Sequence, residues 1–373
     1  MSRHVGSYPL PPYLKTKLLA GGFSTVEDLE DLKPVELSKE LKISPEEALE
    51  ILRVVQGVQN DASSPSSSDE AVKTALDLLQ EERHQGCIIT FCSALDELLG
   101  GGVPLTKITE FCGAPGVGKT QMGMQLAIDV QIPCVFGGLG GEAVYVDTEG
   151  SFMVHRLEDM AKAAVEHCRH IATVENNREQ LEAMSDFTVE HILSRIHFYR
   201  VHDWVELVAL INILPEFLQQ HPKIRLVVMD SIAFPFRHDF EDLSLRTRLL
   251  NGLAQNCIRL ADSHKAAVVL VNQMTTKMGH SGDGQAHLVP ALGESWGHAS
   301  TIRVLLFWEA GYRYARLYKS PTREEATVPY QVTMAGIRDV CIPNSTQDVT
   351  SDMSQEEGTS HGDHSQRKRP RVS

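Results

Sequence analysis

The chain has 373 residues, 42% of them hydrophobic, and a formal net charge of −14; this suits one large domain with a small companion and argues against a bulk polycation that coats nucleic acid, while leaving local basic loops open. Seven cysteines with no C-x-x-C pair suit a reducing compartment and argue against a disulfide framework and a zinc site. No apolar run reaches the ~18 residues of a membrane span, and the proline-rich first residues show no signal peptide.

Residues 1–58 read as a small helical unit. A helix is expected near Tyr13–Ala20, closed by Gly21-Gly22. Ser24-Thr-Val-Glu27 reads as a capping box opening a helix with Val26, Leu29 and Leu32 inward. Ser44-Pro45-Glu46-Glu47 is a stronger start, with an N-cap, Pro at the first helical position and Glu at the third, leading into Ala48, Leu49, Ile51, Leu52 and Val55. Short helices with tight Gly turns suggest a helix-hairpin-helix-like module. Contact with DNA or a partner, and simple packing, are equal readings of it. Residues 59–83 follow as a linker, with the Ser-rich Asp61–Glu70 too polar to offset its own ordering.

The large domain is expected over 84–340. Its first core strand, Lys107–Cys112, runs into Gly113-Ala114-Pro115-Gly116-Val117-Gly118-Lys119-Thr120, and a helical stretch follows from Gln121 to Ala127. This is a complete G-x-x-x-x-G-K-[ST] phosphate loop in its strand–loop–helix setting. Its glycines let backbone N–H groups face phosphates, the helix N-terminus adds positive potential, Lys119 meets the β- and γ-phosphates, and Thr120 holds Mg²⁺. ATP with Mg²⁺ is the expected ligand.

Further strands are expected at Ala143–Asp147, Ile196–Val201, Leu226–Asp230, Ala267–Asn272 and Ile302–Trp308. Near-continuous apolar runs alternating with helices imply an α/β fold: a mostly parallel sheet buried on both faces. Val144-Tyr-Val-Asp147-Thr-Glu149-Gly150 ends a strand in two carboxylates. Glu149 is placed as general base toward an attacking water, and Asp147 reads instead as a cap or a support behind it; the opening of a polar loop is the plainer reading of both. Leu226-Val-Val-Met-Asp230 has the Walker B pattern, with Asp230 as the second Mg²⁺ group. Glu309-Ala-Gly311 reads as a hairpin turn. Residues 341–373 read as a disordered tail, whose Arg367-Lys368-Arg369-Pro370-Arg371 cluster reads as a nuclear import signal or an incidental basic tail.

Asp147-Thr-Glu-Gly-Ser-Phe152, Asn272-Gln273, Gly297-His298-Ala-Ser-Thr-Ile-Arg303 and Leu95-Asp96-Glu-Leu-Leu-Gly-Gly-Gly102 together resemble the RecA-type strand-exchange recombinases of the eukaryotic and archaeal branch. The proline in the phosphate loop, the run Asp230–Asp239 and the basic C-terminus resemble the C-type recombinase paralogue within that family. The resemblance covers about residues 9–340 and implies a RecA-like ATPase core behind a helical N-terminal domain. It implies Lys119 and Glu149 as catalytic groups with Gln273 as γ-phosphate sensor. His298 would read nucleotide state across a subunit boundary, and Arg156 would stack on adenine. A strand-end cap for Gln273 and a core role for His298 are the plainer readings.

The resemblance also implies two DNA-facing loops. One follows Asp230 and carries Phe234, Phe236, Arg237 and His238, with Arg246 and Arg248 beyond. Aromatics among arginines suit stacking and phosphate contact, and the same aromatics also suit a core. The other, about Met274–Gly293, carries Lys277, His280 and His287 and reads as mobile. Filament-forming relatives dock through Phe-x-x-Ala in the linker; here Val72-Lys-Thr-Ala75 stands in its place. A smaller anchor favours heteromeric assembly with other recombinase paralogues over homopolymers. The implied function is an ATP-dependent subunit for homologous-recombination repair of double-strand breaks and crosslinks. Its partners would be single-stranded and branched DNA such as Holliday junctions and the main strand-exchange recombinase. It would be a weak DNA-stimulated ATPase, nuclear with a cytoplasmic pool. The rival reading is an ATP-binding scaffold that hydrolyses little.

Overall fold

A computed structural model describes Val5, Tyr8, 10–25, 27–30, 33–44, 47–48, 51–52, 74–237, 240, 243–278, 286–293 and 295–340. The chain divides into two compact units, Met1–Glu81 and Glu82–Ser373.

In the first unit, helices Pro12–Ala20, Glu27–Glu30 and Pro34–Leu41 enclose Leu14, Leu18, Leu29, Leu37 and Ile51. At Ser44 the expected box is complete: Glu47 N–H donates to Ser44 Oγ at 3.1 Å, and Ser44 N–H to Glu47 Oε2 at 2.8 Å. The box expected at Ser24 is shifted by one residue. Asp28, not Glu27, accepts from the Thr25 N–H at 2.8 Å and the Ser24 N–H at 2.9 Å. The shorter Asp side chain suits that tight reach. Helix Pro34–Leu41 was not expected from sequence, although Pro34 at its first position and Glu36 in its first turn mark it. The polar linker 61–70, Val72 and the tail 341–373 lie outside the described residues. Thr74 and Asp77 cap each other at the start of helix Ala75–His84, so Ala75 lies in a helical first turn.

The second unit is built on strands β1 (Cys87–Ile88), β2 (Val103–Pro104), β3 (Ile108–Gly113), β4 (Glu142–Asp147), β5 (Ile196–Arg200), β6 (Ile224–Asp230), β7 (Ala267–Met278), β8 (Ala286–Pro290), β9 (Ile302–Glu309), β10 (Tyr312–Lys319), β11 (Thr327–Thr333) and β12 (Gly336–Arg338). The main sheet runs β12-β11-β10-β9-β3-β7-β6-β4-β5, with β8 paired to β7. From β9 to β5 all neighbours are parallel, and β10 to β12 extend the sheet antiparallel. Both faces of β3, β4, β6 and the first half of β7 are buried, which explains their apolar runs, whereas edge strand β5 is partly exposed. On β4, Ala143 and Tyr145 enter one core with helices Lys119–Asp129 and Val154–Glu175. Val144 and Val146 enter the other, under helices Trp204–Gln220 and Leu243–Ser263. The expected hairpin is present: Glu309 pairs with Tyr312 across Ala310 and Gly311, both at positive φ (48° and 85°). Asp339, from the far end of the unit, caps helix Ser93–Leu99 by accepting from the Ser93 and Ala94 N–H groups at 2.9 and 3.0 Å.

Candidate nucleotide-binding site

The parallel register brings the predicted groups together at the carboxyl ends of the strands. Gly113 lies opposite Gln273, and Asp147 opposite Asp230. Open α/β sheets bind ligands at this end, where loops leave the sheet in different directions.

The phosphate loop leaves β3 and enters helix Lys119–Asp129. Gly116 and Gly118 sit at φ 82° and 106°, which only glycine adopts without strain. From the antiparallel extension, Tyr330 Oη on β11 donates to the Val117 carbonyl at 2.7 Å and pins the loop. The Lys119 ammonium donates to the Gly113 and Ala114 carbonyls, both at 2.9 Å. Burial draws its pKa down from the ordinary lysine value, opposed by the nearby Asp230 and Glu149 carboxylates.

Asp230 is buried at the end of β6 and accepts from Tyr145 Oη at 3.0 Å. Burial pushes its carboxyl up to about 6, against hydrogen bonds from Thr120 and Tyr145 that favour the ion. Thr120 and Asp230 thus form an oxygen-only pair beside the loop, the donor set that Mg²⁺ takes together with nucleotide phosphates. A bound Mg²⁺ would supply the positive charge that the buried carboxylate lacks.

Glu149 is exposed at the mouth of the site. Its Oε1 accepts from Ser231 Oγ and from Gln273 Nε2, each at 2.5 Å. Gln273 in turn accepts from Arg237. Hence the expected base, the expected sensor and an arginine of the first predicted DNA loop form one chain. Asp147 plays the capping role: its Oδ1 accepts from the N–H groups of Glu149, Gly150 and Ser151 at 3.1, 2.8 and 3.3 Å. It shapes the turn that presents Glu149.

Other expected residues are placed differently. Phe236 does not face solvent for base stacking; it is 1% exposed and stacked on Phe240 in the second core, because an apolar ring there fills space under helix Leu243–Ser263. Phe234 is the exposed aromatic, at 39%. Arg246 donates to the Phe236 carbonyl at 3.0 Å, and burial lowers its pKa; Arg237 and Arg248 are exposed. His238 and His280 lie outside the described residues. The second predicted loop is instead a hairpin over its flanks: β7 continues to Met278, and Lys277 pairs with His287 on β8. Arg156 lies in helix Val154–Glu175, and its guanidinium donates to Gln121 Oε1 and to the Thr333 and Met334 carbonyls at 2.6, 2.6 and 2.5 Å. It clamps the β11–β12 turn to the helix after the phosphate loop. His298 ends the turn Ser295–His298 and is exposed, so a core role for it does not hold.

Sequence reasoning missed a buried centre next door. Glu110 on β3 accepts from Asn272 Nδ2 (2.7 Å), Trp296 Nε1 (3.0 Å), and Arg303 Nε (2.7 Å). A carboxylate inside an apolar strand and an Arg at the start of another were the visible signal. Ser231, the partner of Glu149, was equally unmarked.

A parallel sheet carrying a phosphate loop on its central strand, a Walker B carboxylate two strands away and an antiparallel extension behind the loop define a RecA-like nucleotide-binding core. The model of the Rad51 family matches residues 82–180 and 173–340, and the chain belongs to that family. It is 54% identical over 365 residues to the DNA repair protein RAD51 homolog 3 of Cricetulus griseus, covering 97% of each chain. To the protein of the same name in Dictyostelium discoideum it is 45% identical over 268 residues, 72% of this chain and 69% of that one. The DNA repair and recombination protein RadA of Aeropyrum pernix is 32% identical over 332 residues, 88% of this chain and 94% of its own.

Proposed function

We propose that this chain is an ATP-dependent, DNA-binding subunit of a heteromeric assembly of recombinase paralogues. It acts in homologous-recombination repair of double-strand breaks and crosslinks, supporting recombinase filaments and handling branched intermediates. The observation that carries this reading is the continuous chain Arg237–Gln273–Glu149 beside Asp230 and Lys119. It joins a candidate DNA contact to the groups that would activate water. Relatives named for DNA repair and recombination support it.

Within this reading Lys119 holds the γ-phosphate, Thr120 and Asp230 hold Mg²⁺, and Glu149 takes the proton of the attacking water. Two donors, Ser231 Oγ and Gln273 Nε2, occupy one oxygen of Glu149, the group that would take the proton, which favours weak turnover until the pair is released. That engagement also favours the second reading, an ATP-binding scaffold with little hydrolysis. Val72, Ala75 and His298 are the proposed subunit contacts, and Arg367–Arg371 the nuclear import signal.

The deciding experiment is ATP turnover of the full chain, purified with its native partners, with and without single-stranded DNA. DNA-stimulated turnover lost in Lys119→Ala supports the enzyme reading. ATP retained stoichiometrically without turnover supports the scaffold. Val72→Asp with Ala75→Asp should release one partner and spare ATP binding. Regular filaments of the chain alone on single-stranded DNA would overturn heteromeric assembly.

A further inference from the structure

At the opposite end of the sheet from the nucleotide site, three side chains with metal-ligating atoms converge. Glu142 opens β4, His197 is the second residue of β5, and His221 follows helix Trp204–Gln220. Their ligand atoms all lie within 4.8 Å of one another, and all three residues are half-buried. Glu142 Oε2 is 3.1 Å from His197 Nε2. The placement follows from the fold. His197 pairs with Val144, so it shares a sheet face with Glu142, two residues earlier on β4. Helix Trp204–Gln220 covers that face and ends there, which delivers His221. Phe217 packs against both imidazoles, with ring centroids 5.2 Å from His197 and 4.4 Å from His221.

We propose that Glu142, His197 and His221 form a site for a zinc-class divalent cation that ties β4, β5 and the end of helix Trp204–Gln220 together. Two imidazoles and one carboxylate are a recurrent zinc donor set, with water in the fourth position. Tetrahedral ligands at about 2.0–2.1 Å from zinc stand roughly 3.3 Å apart, so the Glu–His pair already has the spacing and His221 needs a small rotation. Arg195 is the competing cation. Its Nε is 3.4 Å from the other carboxylate oxygen, Oε1, and its Nη2 is held by the Gly140 carbonyl at 2.9 Å. It therefore orients the carboxylate and leaves Oε2 to the histidines, the part an outer partner plays at metal sites. Burial would raise the Glu142 pKa, but His197 and Arg195 hold it below the ordinary value, so the ligand is already an anion. No cysteine takes part, which is why cysteine spacing argued against zinc. Five residue steps along β4, about 16 Å, separate Glu142 from Asp147, so the role is structural.

The test uses the full-length protein, stripped with a chelator and titrated with Zn²⁺ and, separately, Co²⁺. One equivalent is expected to bind, with Zn²⁺ raising the melting temperature and displacing Co²⁺. The Co²⁺ spectrum should show four-coordinate bands and no thiolate charge transfer. His197→Ala or His221→Ala should lower Zn²⁺ affinity by more than the roughly 10–100-fold that losing an outer partner costs; exposed His155→Ala should not. ATP turnover in Mg²⁺ without added Zn²⁺ should be unchanged in both cluster variants. Absence of saturable binding, a thiolate band, or unchanged affinity in either variant would overturn the proposal. The wild-type Co²⁺ spectrum reads the ligand set even where a variant fails to fold.

Discussion

Two charged centres stand on the same strand, three residues apart, and they are built in opposite ways. Around Gly113 each polar group is held by partners that a ligand can replace: Lys119 rests on two loop carbonyls, and Glu149 on Ser231 and Gln273. Around Glu110 the bonds are closed by Asn272, Trp296 and Arg303, drawn from three separate segments and all buried. Buried ion pairs repay their desolvation only when the charge is well paired and hydrogen-bonded, and here the carboxylate accepts from three side chains. The first centre is a site because its bonds are provisional. The second is a joint between β3, β7 and β9.

The sharpest way to break this contrast is to neutralise one carboxylate in each centre. Glu149→Gln should lower ATP turnover by ~10²–10⁴-fold, since the amide keeps the shape but accepts no proton, while ATP affinity and melting temperature stay near wild type. Turnover unchanged in a preparation free of contaminating ATPases would place the base elsewhere. Glu110→Ala should do the reverse and cost roughly 3–5 kcal/mol of folding stability by stranding buried Arg303. Denaturant unfolding measures it, and a loss under about 1 kcal/mol would make the joint dispensable.

The same contrast explains what could be read from sequence. Groups of the nucleotide site lie in contiguous motifs, because one loop must wrap one phosphate chain. Gly113–Thr120, Asp147–Gly150 and the end of β6 were therefore visible residue by residue, and the sheet followed from its apolar runs. Contacts between distant segments were not visible. Asp339 caps a helix that starts at Ser93, and Tyr330 pins Val117; no local pattern marks such pairs. Phe236 was misread for a related reason: an aromatic among arginines has the same composition whether it stacks on a base or fills a core. The strand beyond Asn272 was missed because Met274–Met278 is polar and edge-like, and its pairing with β8 supplies what propensity lacks.

A third test separates the Mg²⁺ group from the fold. The Asp230 carboxyl titrates near 6 in the folded chain, above the ordinary value of 3.8. Between these pH values the folded state keeps a proton that the unfolded state has released, so raising pH through this window weakens folding, and the loss is complete above it. Asp230→Asn does not titrate. Without Mg²⁺ it should match wild type near pH 4 and be roughly 1–3 kcal/mol more stable at pH 7. Mg-ATP should reverse the order by stabilising wild type alone. A stability difference that does not change with pH would mean that Asp230 is ionised throughout.

The smallest effect belongs to Arg237, which joins the first predicted DNA loop to the provisional bonds of the site. Its donation to Gln273 helps to orient the amide whose other end holds Glu149. An exposed hydrogen bond of this kind is worth about 0.5–1.5 kcal/mol. Phosphates of DNA would compete for the guanidinium and free Gln273 to turn away from Glu149, opening its Oε1 to the attacking water. Arg237→Ala should imitate that release: turnover without DNA rises about 2- to 10-fold, and the further stimulation by single-stranded DNA shrinks by the same factor. Arg248→Ala, also exposed but bonded to no group of the site among the described residues, should weaken DNA binding without raising the DNA-free rate. If both variants lose DNA binding alike and leave that rate unchanged, Arg237 is only a phosphate contact. The bonds around Glu149 would then be opened by nucleotide rather than by DNA.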